Sequence, residues 1–382
     1  ATLSVAYDSM NRPIRQVNAL GGVTEIEYDL LGRITRVTDP LGADTAYTYD
    51  KNGNLLTVTD ALGNVTSYAY DALGRLIFET APNGGVTRYA YDNTGNLLSI
   101  MDALGGVTRY QYDENGNLVA MTDALGETVS LEYNPNGSAT TAIKKNGGVL
   151  ATGYDKAGRV VSETDANGHT TKYSYSRNGL VTKITDALGQ QASFAYDVLG
   201  NLVKITAPGK AITLYEYDSA GRVLSMTDPE GCVTEYGYNE NSQIARMTVN
   251  GNATLYEYDA AGNIAAVTDA EGRRVEFAYD PNGNLTGIVY PDGTKDTTQY
   301  DALGRVLKNT PRTGLATAYE YDVVGNIVSV TRGEQATRYA YDILGRMVAV
   351  TAPDGTETAY TYDALGNLTG ETDPLGNVTA FA

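Results

Sequence analysis

The chain has 382 residues, among them 42 glycines, 30 tyrosines, only 4 phenylalanines and no tryptophan. Ordinary globular cores draw on Phe, Ile, Leu and Trp, so this aromatic usage argues against two or three conventional domains. With 46 acidic against 28 basic residues the formal charge is −18, which repels phosphate backbones and excludes general nucleic-acid binding.

One cysteine, Cys232, leaves no disulfide framework or multi-cysteine metal site, and one histidine, His169, leaves no histidine cluster. No apolar run reaches the roughly 18 residues a membrane-spanning helix needs. The start, Ala1-Thr2-Leu3-Ser4-Val5, has neither the basic opening nor the apolar run of a signal peptide. It also lacks an initiator Met, which reads as a processed or excised piece.

Self-similarity sets the organisation. Tyr stands at positions 7, 28, 49, 70, 91, 112, 133, 154, 175, 196, 217, 238, 258, 279, 300, 321, 341 and 362. The step is 21 residues except at Tyr238–Tyr258 and Tyr321–Tyr341, where it is 20. Asp follows in all copies but those with Asn134, Ser176 and Asn239, and Gly stands four residues after the Tyr except at Asn11 and Ser242. In many copies a second Tyr precedes the first by two residues, as Tyr68 precedes Tyr70. The chain is therefore predicted to be a single array over residues 1–382, about 18 copies of a two-strand repeat.

One copy shows the local chemistry. Val65-Thr66-Ser67-Tyr68-Ala69-Tyr70 alternates large rings with small residues and is β-branched, a strand pattern of period two. Asp71-Ala72-Leu73-Gly74 places Asp first and Gly fourth in a type I turn, and Arg75–Thr80 is the returning strand. Ala81-Pro82-Asn83-Gly84 is a second turn; elsewhere it reads Asp39-Pro40-Leu41-Gly42, Asp60-Ala61-Leu62-Gly63 or Asp228-Pro229-Glu230-Gly231. Roughly 36 antiparallel strands in a meander follow, with helix nearly excluded. Pro13 and Pro311 fall outside the turn pattern and are expected at an edge or a bulge.

Twisted open sheets rarely pass about ten strands without curling. A uniform repeat is thus expected to coil into a hollow, barrel-like wall, about 55 Å across if one turn used every strand. A single-layer wall leaves both faces wet, which favours Tyr over Phe because its hydroxyl stays solvated or bonded. Both Tyr positions would share one face. On the returning strand, positions seven and nine after the Tyr (Leu56 and Val58, Leu98 and Ile100, Val203 and Ile205) would share a face too.

The recurring Tyr-Asp-x-x-Gly-Arg/Asn-Leu, as in Tyr70–Leu76 and Tyr362–Leu368, resembles the YD repeat of Rhs proteins, insecticidal toxin-complex shells, bacterial wall-associated proteins and teneurins. The resemblance covers essentially the whole chain. It implies a spiral β-sheet shell that, in Rhs and toxin-complex members, encloses a toxic C-terminal polypeptide; teneurins use a similar barrel in adhesion. Its structural motif maps onto Tyr28, Asp29 and Gly32; Tyr49, Asp50 and Gly53; Tyr70, Asp71 and Gly74; Tyr91, Asp92 and Gly95; Tyr300, Asp301 and Gly304; and Tyr362, Asp363 and Gly366. The autoproteolytic DPxGL motif of toxin-releasing members is only superficially resembled by Asp39–Gly42 and Asp373–Gly376, which are followed by Ala43 and Asn377. No variable C-terminal toxin follows Ala382, so the chain reads as an interior slice of a longer array.

The recurrent Asp residues fit turn capping better than calcium binding, and no metal or cofactor is expected. His169 and Cys232 read as second-turn substitutions, and Lys144-Lys145 is too short for a nucleic-acid patch. The sequence therefore points to a non-catalytic secreted or cell-surface shell segment. Its expected partners are an enclosed toxin or effector polypeptide, or further shell segments, with the acidic charge favouring a basic cargo. The alternative is an adhesion or carbohydrate-binding array, with sugars stacking on Tyr.

Overall fold

A computed structural model describes residues 2–144 and 147–381; the readings that involve Ala1, Lys145 and Ala382 lie outside them. Among the described residues the chain is all-β: 37 strands, β1 to β37 in chain order, and one three-residue 3₁₀ turn at Pro208–Lys210. Each strand pairs antiparallel with the next, β1 (Thr2–Tyr7) with β2 (Pro13–Asn18), then β3 (Val23–Tyr28), β4 (Ile34–Thr38) and so on to β37 (Val378–Ala380). β1 and β37 have one partner each, so the meander does not close on itself by strand pairing.

The two hairpins of a repeat differ. Those closed by the first turn carry a register shift at the Tyr, as where Tyr49 pairs with Leu55 and Thr48 with Thr57. The same shift recurs at Tyr28, Tyr175 and Tyr362. Leu56 is the extra residue of this β-bulge, which adds local twist. The partners of the two rings, Tyr49 and Tyr47, are thus positions six and nine after the Tyr (Leu55 and Val58), where the sequence pattern had pointed to seven and nine. Pro13 sits at such a bulge, opposite Tyr7. Pro311 is instead the first residue of a second turn, its carbonyl accepting from Gly314 N–H at 2.8 Å.

Tyr, Leu, Val and Ile gather on one face of the sheet, while Glu27 and Arg36, or Thr48 and Thr57, pair on the other. Neither face is covered by a second layer: among the described residues only Ala266, Thr234, Thr248, Ser329 and the glycines Gly22, Gly85 and Gly370 are buried. The wall has no central core. Its stability comes from strand ladders, cross-strand pairs and the turns.

Charge is partitioned by element. The strands carry 14 acidic and 14 basic residues, so the whole excess of 18 negative charges lies in the turns and other connections. The expectation that a negative wall would attract a basic cargo changes accordingly: the sheet faces balance, and the acid lines the two rows of turns.

The sheet coils back on itself. The Asn18 amide, in a second turn, donates to the carbonyl of Pro281 in a first turn at 2.9 Å; Asn83 reaches the Ile343 carbonyl at 3.1 Å, and Asn282 reaches the Asp39 carboxylate at 2.6 Å. Sequence separations of 263, 260 and 243 residues correspond to about twelve repeats, or about 25 strands per coil. At ~4.8 Å per strand the mean diameter is about 38 Å. The coil is tighter than the 55 Å expected if one turn used every strand, and the 37 strands make about one and a half turns, overlapping for about half of one.

Candidate functional site: the turn rows and the Asp–Arg–Tyr lock

Every first turn uses its aspartate in the same way. Asp29 Oδ1 accepts from the backbone N–H of Leu31 and Arg33 at 2.9 and 3.0 Å, and the Asp29 carbonyl accepts from Gly32 N–H at 3.0 Å. The Asp29 N–H donates to the Arg33 carbonyl at 2.9 Å and closes the hairpin. Gly32 holds φ at 84°, the left-handed conformation that L side chains resist. The two departures from Gly keep that geometry, Asn11 at φ 60° and Ser242 at φ 62°. Second turns that begin with Asp repeat the scheme: Asp39 Oδ1 accepts from Leu41 and Ala43 N–H at 2.9 and 2.8 Å.

The second carboxylate oxygen divides the copies into two kinds. Where Asn stands five residues after the Tyr, its amide donates to Asp Oδ2 and the contact stays local, as Asn54 to Asp50 at 2.8 Å and Asn367 to Asp363 at 2.9 Å. Where Arg stands there, the guanidinium does three things at once. Arg33 pairs with Asp29 Oδ2 through Nε at 2.7 Å, lies over the Tyr49 ring at 4.7 Å and donates to the Asp50 carbonyl at 2.9 Å. Arg12, Arg75, Arg159, Arg305 and Arg346 repeat the pattern on Tyr28, Tyr91, Tyr175, Tyr321 and Tyr362. Arg is suited to it because a planar guanidinium can stack and form a forked pair together. The lock ties one repeat to the next.

The register tyrosine adds a second tie. Its hydroxyl donates to the carbonyl of the residue that begins the preceding bulged strand: Tyr28 to Pro13 at 2.9 Å, Tyr49 to Ile34 at 2.8 Å, Tyr300 to Leu285 at 2.8 Å and Tyr362 to Met347 at 2.7 Å. Tyr70, Tyr91, Tyr112 and Tyr341 have no such bond among the described contacts; burial raises the pKa of Tyr70, with smaller contributions from Tyr68 and Asp50. Phe never occupies the register position. It appears at the earlier ring position as Phe194 and Phe277, where no backbone bond is made.

Hydrogen bonds depress a set of the turn carboxylates. Asp29 lies below its ordinary value chiefly through the Arg33 N–H, and Asp71 through the Arg75 N–H. Asp50 and Asp363 are lowered first by the Asn54 and Asn367 amides. Asp92, bonded first by the Thr94 hydroxyl, falls to about 2. At Asp60, burial pushes upward, but Asn64 hydrogen bonds and Arg305 of the adjacent coil outweigh it.

The remaining sequence candidates sit apart. His169 is exposed, its Nδ1 3.2 Å from Asp165 Oδ2, and the Cys232 N–H donates to Asp228 Oδ1 at 2.8 Å. Lys144 ends a strand, Ala139–Lys144. Asp39 and Asp373 are turn caps, with Asp373 Oδ1 accepting from Leu375 and Asn377 N–H at 2.8 Å. Among the described residues no group of three or more His, Cys, Asp or Glu side chains could hold a metal, and no helix is long and apolar enough to cross a membrane.

A continuous one-layer meander, coiled and locked repeat to repeat, defines a structural shell wall. The RHS Repeat family matches residues 7–86, 91–149 and 154–254 in nine overlapping segments, and the Teneurin YD-shell family matches 241–382. The chain belongs to the RHS-repeat family. No curated protein sequence matches it significantly. Among solved structures, the Photorhabdus luminescens Tc holotoxin pore superimposes with a TM-score of 0.79 at 17% identity, covering 98% of this chain and 26% of that one. TcdB2-TccC3-TEV gives 0.79 at 17%, covering 98% and 25%. TcdB2-TccC3 without its hypervariable C-terminal region gives 0.60 at 19%, covering 97% and 23%. The chain thus spans about a quarter of the length of the structures it matches, and the likeness is one of fold.

Proposed function

We propose that residues 1–382 form one array within the wall of an RHS-type shell, and that the wall isolates an enclosed polypeptide from its surroundings. The coil contact carries this reading: Asn18, Asn83 and Asn282 seal one row of turns onto the other, so an open ribbon becomes a tube. The matched motif, with Tyr28, Asp29, Gly32 and their equivalents, serves the wall and performs no chemistry. Secretion or cell-surface exposure fits a container of this kind.

The bore narrows the cargo. A mean diameter of about 38 Å less a wall ~10 Å thick leaves a lumen of about 28 Å. A compact 100-residue domain has a radius of gyration of about 13 Å and is about 34 Å across. An extended or partly folded chain fits such a lumen; a folded domain of that size does not. The balanced charge of the strands would let it pass without strong attraction to the wall.

Electron cryomicroscopy of the protein purified from its producing cell tests the proposal. Polypeptide density inside the coil, lacking folded-domain shape, is the expected result. An empty lumen, or sugar density on the Tyr face, overturns it.

A further inference from the structure

The seam between coils is held by asparagine amides, and two of them stand before glycine. Nine Asn-Gly steps occur in the chain, Asn83-Gly84 and Asn282-Gly283 among them. Glycine has no side chain to hinder its backbone nitrogen from attacking the asparagine Cγ. Breaking the Cγ–Nδ2 bond then releases ammonia and leaves a five-membered succinimide. Water opens that ring to aspartate or isoaspartate. The balance is amide plus water to carboxylate plus ammonium, with no other reactant.

The turn hydrogen bond does not distinguish these steps. Gly84 N–H donates to the Ala81 carbonyl and Gly283 N–H to the Asp280 carbonyl, both at 2.9 Å, and Gly53 and Gly116 donate to Asp50 and Asp113 at 3.2 and 3.0 Å. The side chains do distinguish them. Asn52 and Asn115 are exposed and have no side-chain hydrogen bond among the described contacts. Asn83 Nδ2 donates to the Ile343 carbonyl at 3.1 Å while its Oδ1 accepts from Gly85 N–H at 3.0 Å, and Asn282 Nδ2 donates to Asp39 Oδ2 at 2.6 Å. To cyclise, each seam amide must turn onto its own glycine nitrogen and give up its contact across the coil. The product has the wrong chemistry for the seam. A carboxylate at position 83 sets one acceptor against another, the Ile343 carbonyl, and at position 282 it sets a second negative charge against Asp39.

We propose that Asn83 and Asn282 are modification sites whose deamidation follows opening of the seam and prevents its closing. The seam is thereby a one-way latch. Closed, it protects the two amides; opened, it frees them for a hydrolysis that adds negative charge to turn rows already holding the chain's excess acid. The proposal rests on the contacts between coils alone and is independent of whether a polypeptide is enclosed.

Peptide mapping by mass spectrometry of the 382-residue chain, held at mildly alkaline pH, is the first test. In the folded chain, conversion at Asn83 and Asn282 should run at least about tenfold slower than at Asn52 and Asn115, and urea should close that gap. Asn18→Ala removes the bond to the Pro281 carbonyl beside Asn282; it should speed conversion at Asn282 and leave Asn52 unchanged. The latch itself is read by energy transfer between dyes on Ala61→Cys and Ala302→Cys, in a Cys232→Ser background. These positions lie in the turns where Asp60 and Arg305 face each other across the seam. Transfer should be high in this parent and fall in the same chain carrying Asn83→Asp and Asn282→Asp, with circular dichroism unchanged. Equal rates at all four steps in the folded chain, an Asn282 rate indifferent to Asn18→Ala, or unchanged transfer with both substitutions would each overturn the proposal.

Discussion

The Tyr196 hydroxyl donates to the Val181 carbonyl at 2.8 Å, across the boundary between two repeats. Phe194, on the same strand two residues earlier, makes no such bond and needs none. The pair gives a reason for Tyr at the register position in the copies that make this bond, Tyr28, Tyr49, Tyr300 and Tyr362 among them. The bulge frees a carbonyl at the start of each returning strand, and only a ring with a hydroxyl reaches it.

Removing that hydroxyl should therefore be felt at one ring position and not at the other. Tyr196→Phe is expected to cost about 1 kcal/mol, the net worth of one intramolecular hydrogen bond. Tyr215→Phe, at the earlier ring position, should be close to neutral. Urea midpoints of the two variants, read by circular dichroism, check the difference; equal midpoints would contradict the assignment.

The arginine lock should act between repeats and leave its own turn intact. Arg33→Asn converts a lock into the local scheme seen at Asn54, keeping a donor for Asp29 Oδ2 but losing the stack on Tyr49 and the bond to the Asp50 carbonyl. Amide hydrogen exchange should quicken around Tyr49–Gly53 and stay unchanged at Leu31 and Arg33. Uniform quickening in both segments would show that the arginine matters only locally.

Much of this wall was legible in the sequence, because the 21-residue period states the strand order, the turn positions and the antiparallel pairing together. Asp at the first and Gly at the fourth place of Asp71–Gly74 specify the hairpin closure that forms. The bulge was not legible: Leu55, Leu56 and Leu98 are all apolar, and only the pairing of Tyr49 with Leu55 reveals which position faces the ring. The coil diameter was equally hidden, since curvature accumulates from small twists over about 25 strands and no residue encodes it singly. Asn18 and Asn83 did carry a trace of the coil contact: each places an amide donor in a row otherwise dominated by acceptor-only Asp.

Acid should loosen the array over a defined window. Asp29, Asp50, Asp71 and Asp363 are among the turn carboxylates that titrate below their ordinary value of 3.8 in the folded chain, and Asp92 titrates at about 2. A folded pKa below the unfolded one favours the fold at pH values above 3.8, and that contribution is lost as pH falls through the lowered values. Thermal midpoints should hold steady from pH 7 to about 5, then fall between about 4 and 2. A midpoint indifferent to pH across that lower range would contradict turn capping as a source of stability.

Ser242 sits in a strained turn: it adopts φ 62° where every other copy but that of Asn11 has Gly, and its hydroxyl accepts from Arg222 Nη1 at 3.0 Å. Left-handed backbone costs a non-glycine residue about 1–2 kcal/mol. Ser242→Gly should therefore stabilise the chain by about 0.5–1 kcal/mol after the exposed hydrogen bond is lost. A lowered urea midpoint would mean that the Arg222 contact outweighs the backbone strain.

The central claim is that the sheet curls until one turn row meets the other about twelve repeats later. Single-molecule energy transfer between dyes on Asn83→Cys and Ile343→Cys, in a Cys232→Ser background, measures it most directly. The coil places these positions in contact and predicts near-complete transfer. An uncoiled ribbon would hold them about 120 Å apart, at ~4.8 Å per strand, and transfer would vanish.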